Sequence, residues 1–244
     1  MTNSVDRARS ILADANRIAV LTGAGMSTES GIPDFRSPGG LYSRNQTALP
    51  PEYLLSHDCL VEQPELFFDY LRTQLNFGTV EPDASYRMLA ELERVGCVSG
   101  VVTQNIDGLH STAGSQRVIE AHGSLARFYC SGCGRSADAA KQMRAEVSYR
   151  CECGGLLRPD VVLYGEALPA IDEAFDVVEE SDALLVLGTS LVVYPIAAIP
   201  QLFLRAGKSV VIVNRDRTQY AGLPNVIELN ASIGATLPQL FGEA

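Results

Sequence analysis

The stretch RIAVLTGAG, residues 17–25, decides the fold of this 244-residue chain. After its first residue, the RIAVL half is an unbroken apolar run, which is typical of a parallel strand covered on both faces rather than of a strand with one face in water. The TGAG half is a glycine-rich turn that follows the strand directly. A covered strand that ends in such a turn predicts an α/β fold whose ligand binds beyond the carboxyl end of the strand.

Three more apolar runs of this kind occur, at residues 97–102, 183–187 and 209–213. Segments with helical character lie between them, from Asp83 to Arg94 and from Ile171 to Glu180. Alternation of buried strands with helices predicts an α/β fold with a Rossmann-like, doubly wound parallel sheet.

Polar or glycine residues follow all four runs. They are Thr22-Gly23-Ala24-Gly25, Thr103-Gln104-Asn105-Ile106-Asp107, Gly188-Thr189-Ser190 and Asn214-Arg215-Asp216. Because ligands of open α/β sheets bind outside the carboxyl ends of the strands, we expect these clusters to line one crevice. Gln104, Asn105 and Asp107 offer two carboxamides and a carboxylate, which can read ribose hydroxyls and an amide; Asp107 could equally cap a helix.

The turn at residues 23–25 is by itself a weak dinucleotide signal. Thr28 stands in place of the third glycine of the fingerprint, and a tight strand-to-helix turn explains the two glycines equally well. A dehydrogenase would also carry an acid about 20 residues further on, where this chain has the loop at residues 39–44. The hydride-transfer interpretation therefore loses support, and Asn214 can offer hydrogen bonds to a ribose instead.

The segment GIPDFR, residues 31–36, has two interpretations. It could be a solvated loop. Alternatively, Arg36 beside glycine-rich backbone could pair with a pyrophosphate, and Phe35 could cover a flat ring.

Three histidines are the candidates for a general base. We expect His57 in a surface loop and His110 packed or solvated within a helix. His122 follows an apparent strand at residues 118–121 and precedes a glycine. A neutral imidazole takes up a proton near physiological pH, so His122 is the first candidate for the base.

Four of the six cysteines are clustered, as Cys130, Cys133, Cys151 and Cys153. Two close pairs with seventeen residues between them and glycines after both predict a tetrahedral Zn²⁺ site in a zinc ribbon. All four positions would be filled by protein, so the metal would be structural. The second pair is CxC, one residue tighter than the usual CxxC, which makes Cys151 the ligand most in need of a structural test. The separate Cys59 and Cys97 are expected to be buried free thiols.

Composition indicates an ordinary globular protein, with 46% hydrophobic and 20% charged residues. The net charge of −10 and the lack of a Lys/Arg run exclude a nucleic-acid surface. The N-terminal residues 1–17 carry mixed charges and no signal-peptide core, which favours a cytoplasmic protein. The uncharged stretch 183–200 is interrupted by polar residues and prolines, so we interpret it as strand, turn and helix start, and expect no membrane segment.

In this order, the motifs resemble those of the sirtuins, the NAD-dependent protein deacylases, most closely the bacterial or archaeal-type deacetylases. They are residues 23–27, 31–36 and 103–107, His122-Gly123, the four clustered cysteines, residues 158–162 and 188–190, and Asn214. The resemblance covers roughly residues 15–233. It implies a discontinuous NAD-binding domain of residues 1–122 and 160–244, a zinc module of residues 123–159, and a helical insertion within part of residues 31–80.

The resemblance also implies that NAD⁺ is consumed, that one structural Zn²⁺ is bound, and that acylated proteins or peptides are the partners. His122 would be the general base, assisted by Asn105. Residues implied in NAD⁺ binding are Gly23, Ala24, Gly25, Ser27, Thr28, Asp34, Phe35, Arg36, Tyr42, Gln104, Asn105, Ile106, Asp107, Gly188, Thr189, Ser190, Asn214, Arg215 and Ile233. Val162, Tyr164 and Gly165 would bind the acyl-lysine peptide, which adds as a strand.

Two departures from the family pattern bear on the acyl group. Tyr164 stands where many members have the phenylalanine of a Phe-Gly-Glu motif. Members that remove acidic acyl chains carry a tyrosine and an arginine three positions apart on one helix, whereas here Tyr70 and Arg72 are two apart and point to opposite sides. Short neutral acyl groups such as acetyl are therefore expected. Protein ADP-ribosylation and a non-catalytic NAD-sensing zinc-ribbon protein are the alternatives.

Overall fold

The computed structural model describes residues 2–43, 48–144 and 147–242. Its larger sheet has six parallel strands in the order β3-β2-β1-β7-β8-β9. They are β1 Ile18–Thr22, β2 Val98–Thr103, β3 Val118–Glu120, β7 Ala183–Leu187, β8 Ser209–Val213 and β9 Val226–Leu229. The predicted doubly wound α/β fold is confirmed, with β9 as an edge strand that the sequence analysis had not identified.

Helices cover both faces of this sheet. On one face lie α1 Thr2–Asp14, α5 Ala84–Arg94, α6 Leu109–Ala113 and α10 Ile233–Phe241; on the other lie α8 Ile171–Glu179 and α9 Ile199–Arg205. The central strand β1 is apolar at consecutive positions because its side chains enter two cores. Ile18 and Val20 belong to the first core, and Ala19 and Leu21 to the second. All four are fully buried, as expected for a strand covered on both faces.

The helices predicted before β2 and β7 both form. α5 begins at Ala84 because the side chain of Asp83 accepts a hydrogen bond from the backbone N–H of Ser85 and so caps the helix. α8 ends at Glu179, one residue before the predicted end. The stretch 183–200 is strand β7, a turn, and helical residues from Ile196 onward, as predicted.

A second, antiparallel sheet has the order β5-β4-β6, with β4 Gly123–Cys130, β5 Ser136–Ala137 and β6 Leu157–Val161. Beside it lie α2 Pro51–Leu54, α3 His57–Glu62, α4 Pro64–Gln74 and α7 Ala139–Gln142. Phe67, Phe68 and Leu71 of α4 pack in one core with Phe128 of β4. The division of the chain into the predicted domain ranges stays a prediction.

The expectation that His57 lies in a surface loop is wrong. His57 is the first residue of α3, which forms because the Ser56 side chain accepts a hydrogen bond from the backbone N–H of Cys59. Its side chain is nevertheless half exposed. Within the described part of the chain, no helix has both the length and the apolar character needed to cross a membrane.

Candidate functional site

A cavity of about 720 Å³ lies beyond the carboxyl ends of β1, β2, β7 and β8. The structure thus brings the four polar clusters together. The predicted residues that line the cavity are Gly23, Ala24, Gly25, Thr28, Asp34, Phe35, Arg36, Tyr42, Gln104, Asn105, Ile106, His122, Val162, Tyr164, Gly165, Gly188, Thr189, Ser190, Asn214, Arg215 and Ile233.

Two turns meet at the floor of the cavity. The backbone N–H of Gly23 donates to Leu187 O at 3.0 Å, and that of Gly25 donates to Gly188 O at 2.8 Å. Gly188 has a φ of +61°, and a Cβ on it would lie 2.3 Å from the backbone nitrogen of Met26. Both the backbone conformation and the close approach require glycine, so the turn after β7 is as essential to this floor as the turn after β1.

Asn105 is held from behind by a hydrogen-bonded cluster. Its Nδ2 donates to Gly23 O and to Ser27 Oγ, each at 3.1 Å. Ser27 Oγ donates to the Asp107 carboxylate at 2.7 Å and also contacts the Tyr86 hydroxyl at 2.8 Å. The side-chain amide of Asn105 is therefore fixed, and its Oδ1 accepts no hydrogen bond from the described residues.

Ser27 and Asp107 are not among the residues that line the cavity, and their side chains bond to each other behind Asn105. Their contact with NAD⁺ stays a prediction. The side chain of Ser27 points to Tyr86 and Asp107 because the short 3-10 helix at Ala24–Ser27 turns it inward. Asp107 also accepts the backbone N–H of Leu109 at the start of α6, so the helix-cap interpretation has support. Burial raises the pKa of Asp107, although bonds from Leu109 and Ser27 oppose that rise. Tyr86 was missed, and its sequence gives no signal of a role.

His122 is the histidine of the cavity wall. Its Nδ1 lies 3.0 Å from Gln104 O, and because a carbonyl can only accept, Nδ1 carries the proton and Nε2 keeps its lone pair in the neutral ring. Burial lowers the pKa of His122, against the opposing effect of the Gln104 carbonyl, so the ring is neutral at pH 7. Burial also lowers the pKa of His110, to about 3, and its Nε2 lies 2.9 Å from Thr22 Oγ1, away from the cavity.

A compact loop at residues 34–42 forms the wall opposite β1. The Asp34 carboxylate accepts the backbone N–H groups of Arg36 and Ser37, which turns the loop and presents Arg36 to the cavity. Phe35 meets the Tyr42 ring edge-on at 5.6 Å, and the Arg36 guanidinium lies 5.7 Å from the centre of the same ring. The loop therefore offers a cation beside an aromatic pair.

The far wall comes from the segment after β6. The backbone N–H of Val162 donates to His122 O at 3.0 Å, and Tyr164 pairs with Leu55 and His57 through its main chain. Arg158 and Glu166 form a bidentate ion pair beneath this segment, with N–O distances of 2.5 and 2.8 Å. The Arg158–Glu166 ion pair therefore holds the segment after β6 in place.

Leucines that the sequence did not mark as site residues close the apolar end of the cavity: Leu55, Leu71, Leu75, Leu125 and Leu163. Leu71 lies on α4 and Leu75, the residue that caps its C-terminus, follows four positions later, a spacing that could have indicated both. Arg72 points away from the cavity, because its guanidinium donates to Gln142 O and Val147 O at 2.8 and 2.9 Å.

The four clustered cysteines converge on one point. Their Sγ atoms all lie within 4.8 Å of one another, with Cys130–Cys153 at 3.5 Å and Cys133–Cys151 at 3.9 Å. Four thiolates about 2.3 Å from a tetrahedral Zn²⁺ are about 3.8 Å apart, so the group fits the ion. Cys151 Sγ lies within this group despite the tighter CxC spacing, and its role as a ligand stays a prediction. Gly155 makes room for the site, since a Cβ there would lie 2.7 Å from Cys130 Sγ.

Comparison with known proteins agrees with this geometry. The model of the Sir2 family matches residues 23–195. An "NAD-dependent protein deacetylase" of Cutibacterium acnes (strain DSM 16379 / KPA171202) is 50% identical over 218 residues, which cover 88% of each chain. A solved Sir2 structure with a deacetylated p53 peptide and 3'-O-acetyl ADP ribose superposes with a TM-score of 0.88 at 32% identity, over 98% of this chain and 99% of that one. A Sir2–p53 peptide–NAD⁺ structure gives a TM-score of 0.81 at 35% identity, over 92% and 91%.

Proposed function

The chain belongs to the Sir2 family, and from this we propose that it is an NAD⁺-dependent protein lysine deacetylase, which transfers the acetyl group to ADP-ribose and releases nicotinamide. The observation that carries the proposal is the neutral His122 imidazole, anchored through Nδ1 in the wall of a cavity that also holds Gln104, Asn105 and Arg36. A base beside carboxamides and a guanidinium suits a dinucleotide that is cleaved rather than reduced.

The co-substrate NAD⁺ supplies the ribose carbon that the acetyl oxygen attacks, with nicotinamide as the leaving group. His122 Nε2 takes the proton from a ribose hydroxyl, since Nδ1 is committed to Gln104 O. Nicotinamide leaves as a neutral molecule, so one base is sufficient. The lowered pKa keeps the imidazole in its basic, neutral form.

Asn105 is the second catalytic residue of the proposal. Its Nδ2 is tied to Gly23 O and Ser27, so Oδ1 is presented as a fixed acceptor for a ribose hydroxyl or the nicotinamide amide. Ser27 holds the Asn105 amide, and Asp107 in turn accepts a hydrogen bond from Ser27, so both position Asn105 as well as belonging to the proposed NAD⁺ site.

The remaining cavity residues are assigned roles by the part of the cavity wall in which they lie. Arg36 neutralises the phosphates and Phe35 packs on the nicotinamide end. The turn at residues 188–190 and Asn214 receive the adenosine half, beside the backbone of Ile233.

The four cysteine thiolates would hold the Zn²⁺, and since four protein ligands fill a tetrahedral site, the ion would be structural. It would join the loops that flank β4 and β6 into one unit. None of the six cysteines, all of which lie in the described residues, forms a disulfide, which suits a reducing, cytoplasmic compartment.

The partner is an acetylated protein or peptide that adds as a strand along Val162 and Tyr164. The net charge of −10 and the absence of a basic run in the sequence disfavour nucleic acid. The leucine-lined end of the cavity and the outward direction of Arg72 favour a short neutral acyl group.

The test is release of nicotinamide from NAD⁺ by the purified protein with an acetylated peptide. We expect release by the wild type and a loss of at least about 100-fold in His122→Ala, the scale of general base catalysis. His57→Ala is the matched control, because it removes an exposed histidine outside the cavity and should retain activity. Equal activity of wild type and His122→Ala would overturn the catalytic assignment.

The same experiment separates the alternatives. Protein ADP-ribosylation would add the mass of ADP-ribose to the target while its acetyl group stays in place. A non-catalytic NAD⁺ sensor would bind NAD⁺ and leave it intact with every acyl peptide, but such a protein has no need of an anchored base in the cavity wall.

A further inference from the structure

Two phenol hydroxyls from opposite walls of the cavity meet. Tyr42 Oη and Tyr164 Oη are 2.7 Å apart, and both residues line the cavity. Tyr42 belongs to the loop at residues 34–42, here called the co-substrate segment. Tyr164 belongs to residues 162–165, the acyl-lysine segment. Both names rest on the proposed function.

The co-substrate segment is joined internally by hydrogen bonds and ring contacts that include Tyr42. The backbone N–H of Tyr42 donates to Phe35 O at 2.9 Å, and the Asp34 carboxylate accepts the N–H of Arg36. The Tyr42 ring also touches Phe35 edge-on and lies beneath the Arg36 guanidinium. A movement of Tyr42 would therefore carry the phosphate-binding cation and the aromatic wall with it.

The acyl-lysine segment is attached elsewhere. Tyr164 pairs by its main chain with Leu55 and His57, and Val162 pairs with His122. The Tyr164 hydroxyl, by contrast, contacts the Tyr42 hydroxyl of the co-substrate segment. Burial, and next the hydrogen bond to Tyr164, raise the pKa of Tyr42, so the Tyr42 hydroxyl keeps its proton at neutral pH.

We propose that the Tyr42–Tyr164 hydroxyl pair holds the two segments in one binding-competent arrangement, so that each tyrosine is a positioning residue for the ligand of the opposite wall. If the bond is removed, the competent fraction of the free protein falls, and both ligands bind more weakly in proportion. Once either ligand is bound, the arrangement is restored and the other ligand binds as in the wild type. One net hydroxyl hydrogen bond corresponds to a factor between about twofold and about 13-fold, and we expect about threefold.

Isothermal titration with ADP-ribose and an acetyl-lysine peptide tests this, because that pair of ligands cannot react. In Tyr164→Phe we expect the Kd of ADP-ribose to rise about threefold, although Tyr164 lies on the peptide side. In Tyr42→Phe the Kd of the peptide should rise by a similar factor. Both increases should vanish when the second ligand is saturating, and the double variant should be no weaker than either single one.

Tyr149→Phe is the matched control, since it removes a phenol hydroxyl that donates to Glu65 at 3.2 Å outside the cavity. Both Kd values should equal those of the wild type. The inference is overturned if Tyr164→Phe leaves ADP-ribose binding unchanged, or if the two single effects add in the double variant. A wild type that binds neither ligand would instead reject the proposed function.

Discussion

Replacing Glu166 by glutamine tests whether the ion pair beneath the acyl-lysine segment positions it. The Arg158 guanidinium, 8% exposed as a residue, donates to both Glu166 oxygens and to Val161 O, and Glu166 in turn accepts the N–H of Leu163. The variant keeps the shape but leaves a nearly buried guanidinium without its counter-charge.

The magnitude follows from burial. Breaking a fully buried pair by removing one partner costs about 3–5 kcal/mol. Glu166 is 20% exposed in its side chain, and glutamine keeps one acceptor oxygen, so we expect a loss of about 2 kcal/mol in the free energy of unfolding. Urea unfolding at pH 7 measures it. In kinetics, the KM for the acetyl peptide should rise while the KM for NAD⁺ stays near the wild-type value.

A pH series adds a second readout. The Arg158 hydrogen bond lowers the pKa of Glu166 in the folded protein. A carboxylate of this kind stabilises the fold above its ordinary pKa near 4.5, and the contribution is lost as the pH falls through the lowered value. The stability difference between wild type and Glu166→Gln should therefore shrink below pH 4.5.

Asp160→Asn is the control, because Asp160 pairs with Arg127 on the surface, with side chains 44% and 52% exposed. Exposed pairs contribute about 0–1 kcal/mol. A loss in Glu166→Gln no larger than that in Asp160→Asn, or equal changes in the two KM values, would refute the reasoning.

Four further predictions follow. The acid limb of the kcat/KM profile should titrate below pH 6.5, because burial lowers the pKa of His122 in the free enzyme; an apparent pKa above 6.5 would contradict the assignment. A zinc chelator should lower the Tm of the wild type and release one Zn²⁺ per chain, and a metal content near zero in stable, active protein would remove the ion from the account. In an acyl panel, acetyl should exceed succinyl by at least about tenfold, a difference of about 1.4 kcal/mol, and Arg72→Ala should leave that ratio unchanged because Arg72 faces away from the cavity. Gly188→Ala should destabilise the fold by about 2 kcal/mol or more and abolish NAD⁺ binding, measured by urea unfolding and calorimetry, because its Cβ would collide with Met26 N.

Sequence alone located the strands that are buried along all or nearly all of their length. β7 and β8 have the predicted bounds, and the bounds of β1 and β2 differ from the predicted ones by one residue. The prediction succeeded because an apolar run of five or six residues has few other structures available. β9 escaped because it has only four residues, one of them the half-buried Glu228, which interrupts the apolar run. The start of α3 could have been found, since Ser56 followed by Asp58 in the first turn is a helix-start pattern.

Prediction of the site from the sequence was limited in a different way from prediction of the strands. Turn residues at strand ends could be assigned to one crevice, because parallel strands end at one edge of a sheet. Which of them face the cavity depends on contacts between residues about 80 apart in sequence, such as Ser27 with Asp107. No periodicity encodes such contacts. For the same reason Tyr86, on a helix packed behind the wall, gave no signal at all.

The cysteine-containing module and the proposed base are connected through the main chain of His122. Its ring is held by Gln104 O at the end of β2, while its carbonyl accepts the N–H of Val162, the residue after β6. The next residue, Gly123, has a φ of +75°, and a Cβ on it would lie 2.0 Å from Asp160 O, so β6 presses directly on the backbone beside the base. The ring is thus anchored by the large sheet and the backbone by the small one. Because the four cysteines lie at the far ends of β4 and β6 from His122, a Zn²⁺ held by them would affect the proposed base only through the alignment of these two strands.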